Sequence, residues 1–235
     1  MNPKLSRSTE TRVLILGAME EEIRECLACV ELESTEVWNG FALHWGQLYQ
    51  TPVVVCKSGI GKVFASLITQ HLLDRCNVRA VLFTGVAGAV AADLDPGDLL
   101  IAERLVHHDL DVRALGFERG HIPFTDFRYF ESDPQCVQAA LGVELSGVRM
   151  RTGCIGTGDQ FITDRSHLPD LGLDAVDMEG AAVAQVCTVN NIPFLIVRII
   201  SDRADGSAQL DFATNLPRLA HHSVEVLKAV VRSLS

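Results

Sequence analysis

Three acidic residues each follow a short apolar run that has the character of a β-strand. They are Glu22, Glu179 and Asp202, and each stands a few residues beyond its run. In open α/β sheets, ligands bind at the C-terminal ends of the strands. Carboxylates are costly to desolvate, so three of them at one rim indicate a functional site. The sequence therefore predicts acid–base chemistry on a polar, uncharged or cationic substrate.

Glu22 closes an acidic run, 20–22, at the start of a predicted helix. The helix dipole favours acids at this end, so a purely electrostatic role is the alternative explanation. However, Ile23 begins the apolar stripe of the helix, which places Glu22 beside that stripe rather than towards solvent. Burial near other acids raises the pKa of a carboxyl group and allows it to act as a base near neutral pH.

The other two acids have neighbours that also suggest a site. Arg198 interrupts the apolar run that ends in Ser201-Asp202. A buried cation has to be paired, and the nearby acids are its natural partners. Ser201 can hydrogen-bond the adjacent carboxyl group or its ligand. Glu179 opens a helix of small residues, where interaction with the helix dipole is the alternative role.

Strand-like and helix-like segments alternate along the chain and must position these side chains. Apolar runs predict strands at 12–17, 41–47, 52–57, 80–84, 98–106, 148–157, 174–178 and 193–200. Helical periodicity predicts helices at 19–31, 61–75, 134–141, 180–190 and 216–234, the last with Asn215 as its N-cap and Pro217 in its first turn. Several strands are continuously apolar, as expected when both faces are covered. The pattern predicts an α/β fold: a three-layer α/β/α single domain with a central mixed, mostly parallel twisted sheet flanked by helices.

Length and composition limit the class of protein. The 235 residues are 48% apolar, which fits one domain at 11–235 after a flexible tail at 1–10. A net charge of −10 disfavours a nucleic-acid partner. No apolar run approaches the ~20 residues that span a bilayer, and the first apolar run is short for a signal peptide. We therefore expect a cytoplasmic protein without a membrane partner.

Cysteines and histidines do not form a convincing metal site in the sequence. The seven cysteines are scattered, which favours reduced core thiols over disulfides. Cys26-x-x-Cys29 lies on a predicted helix and has no second Cys/His pair at matching spacing. The adjacent pair His107-His108 places at most one imidazole on a given site. We expect no metal.

Two further segments suggest ligand or subunit contacts. The turn 84–89 contains two glycines, one of them Gly88, which allow the backbone at Ala87 and Gly88 to approach a ligand closely. The stretch 107–133 has turn residues and scattered aromatic residues but no clear period. Long irregular segments within a compact domain tend to form functional loops or interfaces.

Taken together, six motifs resemble those of the bacterial 5′-methylthioadenosine/S-adenosylhomocysteine nucleosidases, in the same order from about 12 to 232. They are Gly17-Ala18-Met19-Glu20-Glu21-Glu22-Ile23, Lys57-Ser58-Gly59-Ile60-Gly61-Lys62-Val63, Thr84-Gly85-Val86-Ala87-Gly88, Gly158-Asp159-Gln160-Phe161-Ile162, Asp177-Met178-Glu179-Gly180-Ala181 and Arg198-Ile199-Ile200-Ser201-Asp202. The resemblance implies an α/β/α fold of the purine nucleoside phosphorylase superfamily and hydrolysis of the N-glycosidic bond to adenine and a thioribose, without metal or cofactor.

The resemblance also implies roles for individual residues. Glu22 would activate water, and Asp202, steadied by Ser201, would protonate adenine N7. Glu179 would hold the ribose hydroxyls, with Met178 beneath the sugar.

The remaining implied contacts surround the substrate. Arg198 would lie close to the sugar, Phe161 would stack on adenine, and the backbone around Phe161 and Ile162 would read the edge of the base. Ala87 and Gly88 would approach the substrate through their backbone, and Phe212 would line the 5′-alkylthio pocket. In such enzymes a partner subunit completes this pocket, which suggests a homodimer in which the partner provides Val112, Leu115 and Pro123.

Three alternatives stay open at this point. A phosphorolytic nucleoside phosphorylase needs cationic phosphate ligands. In this chain the turn at 20–22 consists of glutamates, and the turn at 84–89 has no basic residue. A 6-amino-6-deoxyfutalosine hydrolase would use the same base and ribose contacts and differ in the 5′ pocket. A non-catalytic nucleoside-binding protein would have no need for both Glu22 and Asp202.

Overall fold

The computed structural model describes residues 8–205 and 208–234, with side chains described for 10–205, 208 and 222–234. The strands are β1 (Ser8–Gly17), β2 (Glu31–Trp38), β3 (Phe41–Leu48), β4 (Thr51–Lys57), β5 (Cys76–Ala89), β6 (Leu99–His107), β7 (Phe130–Glu131), β8 (Met150–Thr157), β9 (Ala175–Asp177) and β10 (Phe194–Asp202). The helices are α1 (Glu20–Ala28), α2 (Lys62–Arg75), α3 (Pro134–Leu141), α4 (Gly180–Val189) and α5 (Ala208–Ser233).

The centre of the sheet is covered on both faces. Strand β1 lies between β4 and β5 and runs parallel to both. Its side chains alternate between two hydrophobic cores: Leu14 and Leu16 pack in one, and Val13 and Ile15 pack in the other. This arrangement explains why the strand reads as a continuous apolar run.

The helices form a layer on each side of the sheet. Helices α2 and α4 contact each other and bury Ile68 and Val183 in the first core. Helices α1, α3 and α5 contribute Ile23, Val137 and Leu227 to the second core. The predicted three-layer α/β/α architecture is confirmed.

The sheet closes on itself at one end. Strand β5 pairs in parallel with β10 and, near its C-terminal end, in antiparallel fashion with β9. Because β10 pairs with β6, β6 with β8, and β8 with β9, these five strands form a closed ring. The run β4–β1–β5–β10 is entirely parallel, whereas β2, β3 and β7 pair in antiparallel fashion, so the sheet is mixed as predicted.

Several element boundaries differ from the sequence prediction; strand β5, for example, spans Cys76–Ala89 rather than 80–84. Helix α1 ends at Ala28, and the segment predicted to continue it leads into β2, an exposed strand rich in glutamate with no apolar alternation to mark it. Strand β1 begins at Ser8, inside the expected tail at 1–10. Helix α5 begins at Ala208, so the predictions of Asn215 as its N-cap and of Pro217 in its first turn were wrong. An Asn with a Pro two residues later is a local start signal that cannot show whether helical turns precede it.

The stretch 107–133 is irregular, as predicted. It contains a single 3₁₀ turn, Arg113–Leu115, and the two-residue strand β7. Within the described ranges, none of the helices combines the length and the apolar character that a membrane crossing requires.

Candidate active site

A cavity of about 250 Å³ opens at the edge of the sheet where β1, β5 and β10 end together. This edge is the position at which α/β sheets bind ligands. Nine of the predicted site residues line the cavity: Glu22, Ala87, Gly88, Phe161, Ile162, Met178, Glu179, Ser201 and Asp202. The structure therefore brings residues from five separated parts of the sequence into one site.

Glu22 is the buried member of the acidic turn, while Glu20 is exposed. Its Oε2 atom accepts hydrogen bonds from the backbone N–H groups of Ala18 (2.6 Å) and Met19 (3.0 Å), and Oε1 accepts one from Val86 (3.2 Å). Burial raises the pKa of Glu22, although the Arg198 charge and these backbone donors act in the opposite direction. The carboxylate is thus fixed in orientation and able to accept a proton.

Glu179 lies immediately before α4, as its N-cap residue. Its Oε1 atom accepts a hydrogen bond from Gly61 N–H (2.8 Å), and Oε2 lies 3.9 Å from Arg198 Nη2. Burial, and secondarily the negative charge of Asp177, raises the pKa of Glu179. The helix-dipole interpretation is therefore incomplete, because this carboxylate also faces the cavity.

Arg198 is paired with an acid, as predicted, although it does not line the cavity. Its side chain is 1% exposed, and its Nε and Nη2 atoms lie 2.9 Å and 2.7 Å from Asp177 Oδ2. The guanidinium group also lies over the ring of Phe83, at 4.5 Å from its centre. Arg198 thus lies behind the acidic side chains of the site.

A glycine makes room for this arrangement. A Cβ atom on Gly85 would lie 2.8 Å from both Arg198 Nη1 and Glu22 Oε1. These two atoms therefore flank the same point above β5, and a larger residue would push at least one of them away.

Asp202 ends β10 beside Gly88 of β5. Its Oδ2 atom accepts a hydrogen bond from Ser201 Oγ (2.7 Å), and Oδ1 accepts one from Ala204 N–H (2.8 Å). The expected contact between Ser201 and the next carboxyl group is present. A Cβ atom on Gly88 would lie 2.9 Å from Asp202 Oδ1, so the small residue allows this side chain to reach the cavity.

One lysine connects the loops around the cavity. Lys62 Nζ lies 2.7 Å from Asp109 and 3.2 Å from Asp159, and the Asp159 N–H donates to Asp109 (2.9 Å). Asp109 belongs to the irregular stretch, and Asp159 directly precedes the cavity-lining residues Gln160 and Phe161. The irregular stretch is therefore attached to the rim of the site.

Some predicted residues are not part of this cavity in the single chain. Val112, Leu115 and Pro123 do not line it, and Leu115 is 65% exposed. The side chain of Phe212 lies outside the described residues. Roles for these four residues stay predictions.

Sequence reasoning assigned no chemical role to several residues that line the cavity. They are Ala18, Met19, Ile60, Val86, Gln160, Val176 and Asp177. Most belong to the quoted motifs, so their position along the chain gave a signal. The five apolar ones, however, are indistinguishable from core residues without the fold, and Gln160 and Asp177 resemble ordinary polar residues of a loop and a strand end. Among the described residues, no cluster of three or more His, Cys, Asp or Glu side chains has an arrangement suited to a metal ion.

Comparison with known proteins agrees with this geometry. A family model described as the phosphorylase superfamily matches residues 12–232. A 5′-methylthioadenosine/S-adenosylhomocysteine nucleosidase of Geobacillus sp. is 37% identical over 95% of this chain and 99% of its own length.

Two solved structures are similarly close. The nucleosidase of the same name from Neisseria meningitidis, in complex with methylthio-immucillin-A, superposes with a TM-score of 0.89 at 32% identity, covering 94% of this chain and 99% of the other. The futalosine hydrolase of Helicobacter pylori has the same TM-score at 34% identity, covering 94% and 97%. The chain belongs to the 5′-methylthioadenosine/S-adenosylhomocysteine nucleosidase family of the phosphorylase superfamily.

Proposed function

We propose that the protein hydrolyses the N-glycosidic bond of 5′-methylthioadenosine and S-adenosylhomocysteine, and that 5′-deoxyadenosine is a further candidate substrate. The observation that carries this proposal is the convergence of buried Glu22, Glu179 and Asp202 on one cavity. The assignment of each residue below follows from its contacts and from the chemistry of the bond.

Hydrolysis requires one proton transfer from the attacking water and another to the departing adenine. Glu22 takes a proton from water, which attacks the anomeric carbon of the ribose as the bond to the purine breaks. Asp202, held by Ser201, gives a proton to N7, so that adenine leaves as a neutral molecule. Glycoside cleavage passes through an oxocarbenium-like state, and a paired acid and base serve it well. General acid–base groups of this kind typically contribute 10²–10⁴-fold each.

The remaining contacts hold the nucleoside in place. Glu179 accepts hydrogen bonds from the ribose hydroxyls, with Met178 beneath the sugar and Arg198 behind it. Phe161 stacks on the purine, the backbone of Ile162 reads its edge, and the backbone at Ala87 and Gly88 allows close approach. Phe212 is our predicted 5′-pocket residue, and its side chain lies outside the described residues. No metal or cofactor takes part.

The cavity favours water over phosphate as the nucleophile. None of its lining residues among those described is a lysine or an arginine, and Glu22 would repel a phosphate anion. We expect adenine release from methylthioadenosine in phosphate-free buffer at a rate that added phosphate leaves unchanged. A strict phosphate requirement would falsify the hydrolase assignment, and binding without adenine release would favour a nucleoside-binding protein.

A second candidate activity is hydrolysis of 6-amino-6-deoxyfutalosine. The similarity to the Helicobacter pylori futalosine hydrolase supports it. Turnover on methylthioadenosine, S-adenosylhomocysteine and aminodeoxyfutalosine at equal concentration decides between them. We expect the first two to be preferred, and a higher kcat/KM on the third would reverse the order.

We also infer that the protein acts as a homodimer. Val63 on α2 and Leu115 and Phe124 in the irregular stretch are 78%, 65% and 89% exposed, and the Lys62–Asp109 ion pair joins the two elements. Exposed apolar surface of this kind is typical of an interface. In the dimer, Val112, Leu115 and Pro123 of one subunit complete the 5′ pocket of the other.

The test of the dimer uses two exposed leucines. Leu115→Asp should yield a monomer by sedimentation and raise the KM for methylthioadenosine. Leu32→Asp, on β2, should change neither. A Leu115→Asp protein that stays dimeric with an unchanged KM would contradict the interface. The cytoplasmic location stays a prediction.

A further inference from the structure

We propose that Asp177 is a positioning residue of this site, which holds the Arg198 guanidinium in the orientation that serves Glu22 and Glu179. The inference rests on the proposed function, because it assigns a purpose to a buried charge behind the reacting groups.

Asp177 binds Arg198 through one side of the guanidinium group. Its Oδ2 atom accepts from Arg198 Nε (2.9 Å), lies 2.7 Å from Nη2, and also accepts from Gly180 N–H (3.0 Å). The hydrogen bond from Nε and the ionic contact of Nη2 with the same oxygen together restrict the orientation of the guanidinium group as well as its position. The rotation of Arg198 is therefore set by Asp177.

Asp177 is itself held from the other side. Its Oδ1 atom accepts a hydrogen bond from Thr157 Oγ1 (2.6 Å), and the same hydroxyl accepts one from Ala181 N–H (2.7 Å). Thr157 ends β8 and Ala181 lies in the first turn of α4. The carboxylate is thus anchored between a strand end and a helix start, and both residues are buried.

Asp177 binds the guanidinium group at Nε and Nη2, which leaves Nη1 on the side near Glu22, the proposed base. The Nη1 and Nη2 atoms of Arg198 are fully buried and have no hydrogen-bond partner among the described residues, but Nη2 has ionic contacts with Asp177 and Glu179, whereas no such contact is seen for Nη1. Nη1 and Glu22 Oε1 flank the point above Gly85. A buried donor without a partner is costly, so its retention at this place indicates a function for that donor.

The charged groups that face Arg198 are Asp177 from β9, Glu179 before α4, and Glu22 from α1. Asparagine at position 177 keeps an oxygen that can accept from Arg198, so the cation stays near the two glutamates although it is held less firmly. The substitution removes the negative charge that competes for Arg198, and it removes the like charge that raises the pKa of Glu179. Both effects favour the ionised glutamates. The acid limb of the pH–rate profile should therefore move to lower pH.

The test compares Asp177→Asn with a matched control. Asp174 is a partly buried carboxylate that likewise binds an arginine, Arg151 (2.9 Å), and a backbone N–H, that of Cys154 (2.7 Å), but it does not line the cavity. Asp177→Asn should lower kcat by about 10²-fold, as expected for a misplaced catalytic group, and shift the acid limb of kcat/KM downwards. Asp174→Asn should lower stability without moving that limb.

Thr157→Val provides the second variant. It keeps the Asp177 charge but removes the hydroxyl that orients it, so kcat should fall while the acid limb stays in place. An Asp177→Asn protein that folds and shows the wild-type limb and kcat would overturn the proposal. If Asp177→Asn fails to fold, wild-type kcat in folded Thr157→Val has the same meaning. Loss of all adenine release in the wild-type protein would instead refute the proposed function.

Discussion

Replacement of Glu22 by glutamine tests the proposed base with the smallest change in shape. Two backbone N–H groups point at Oε2, at 2.6 Å and 3.0 Å, whereas one points at Oε1, at 3.2 Å. A glutamine will keep its carbonyl oxygen where the two donors are. Its amide nitrogen then takes the place of Oε1 and faces the Val86 N–H, donor against donor.

The expected magnitudes follow from this geometry. An unsatisfied buried donor costs about 1–3 kcal/mol, and the Val86 N–H is partly buried, so the variant should lose up to that amount and fold with a lower melting temperature. Oε1 is the oxygen with a lone pair still available for water, since Oε2 already accepts two bonds. Its replacement by a donor removes the base, and kcat should fall by ~10²–10⁴-fold.

The assay is adenine release from methylthioadenosine, followed by chromatography, together with calorimetric binding of the same nucleoside. Binding should persist, because Glu22 is not proposed to hold the substrate. Glu20→Gln is the control: it lies on the same turn but is exposed, so kcat and stability should not change. A Glu22→Gln enzyme with kcat within tenfold of the wild-type value would refute the role of Glu22 as the base.

Three further predictions concern the same site. Asp202→Asn cannot protonate the purine, so kcat should fall by ~10²–10⁴-fold in the adenine-release assay, and near-normal turnover would exclude it as the acid. Gly85→Ala places a methyl group 2.8 Å from both Glu22 Oε1 and Arg198 Nη1. We expect the unfolding free energy to fall by about 1–3 kcal/mol and kcat to decrease. Unchanged stability and kcat would show that the two side chains are free to move. Burial raises the pKa of Glu22 above its usual 4.5, and the base must be ionised, so kcat/KM should be full above that raised pKa and decline as the pH falls through it. A profile that is flat down to pH 4.5 would contradict this assignment.

Much of the fold is predictable because its strands are buried on both faces. The run around Leu14–Leu16 is apolar at every position, and such a run at the start of an alternating pattern predicts a central strand. The acidic residues at the ends of these strands could be placed at one rim for the same reason. Hence the positions of Glu22 and Asp202 followed from the sequence.

Other features depend on contacts that leave little trace in the sequence. The ring closes through β9, which is three residues long and meets β5 at only two register positions, Gly88 with Val176 and Ala89 with Ala175. Asp177 looks like any polar residue at a strand end until Arg198 is placed beside it. Strand β2 has no apolar alternation, because most of its side chains face solvent.

The closed ring also has a consequence for the behaviour of the protein in concentrated solution. Strands that pair on both sides offer no free backbone groups to another chain. In the described sheet, β2 is the long strand left at an open end of the strand order. It carries Glu31, Glu33 and Glu36, of which the last two also form ion pairs with Arg12 and Arg75, respectively, and charged side chains along an edge discourage pairing with a second copy. The glutamates that leave β2 without a recognisable strand pattern in the sequence therefore also disfavour edge-to-edge aggregation.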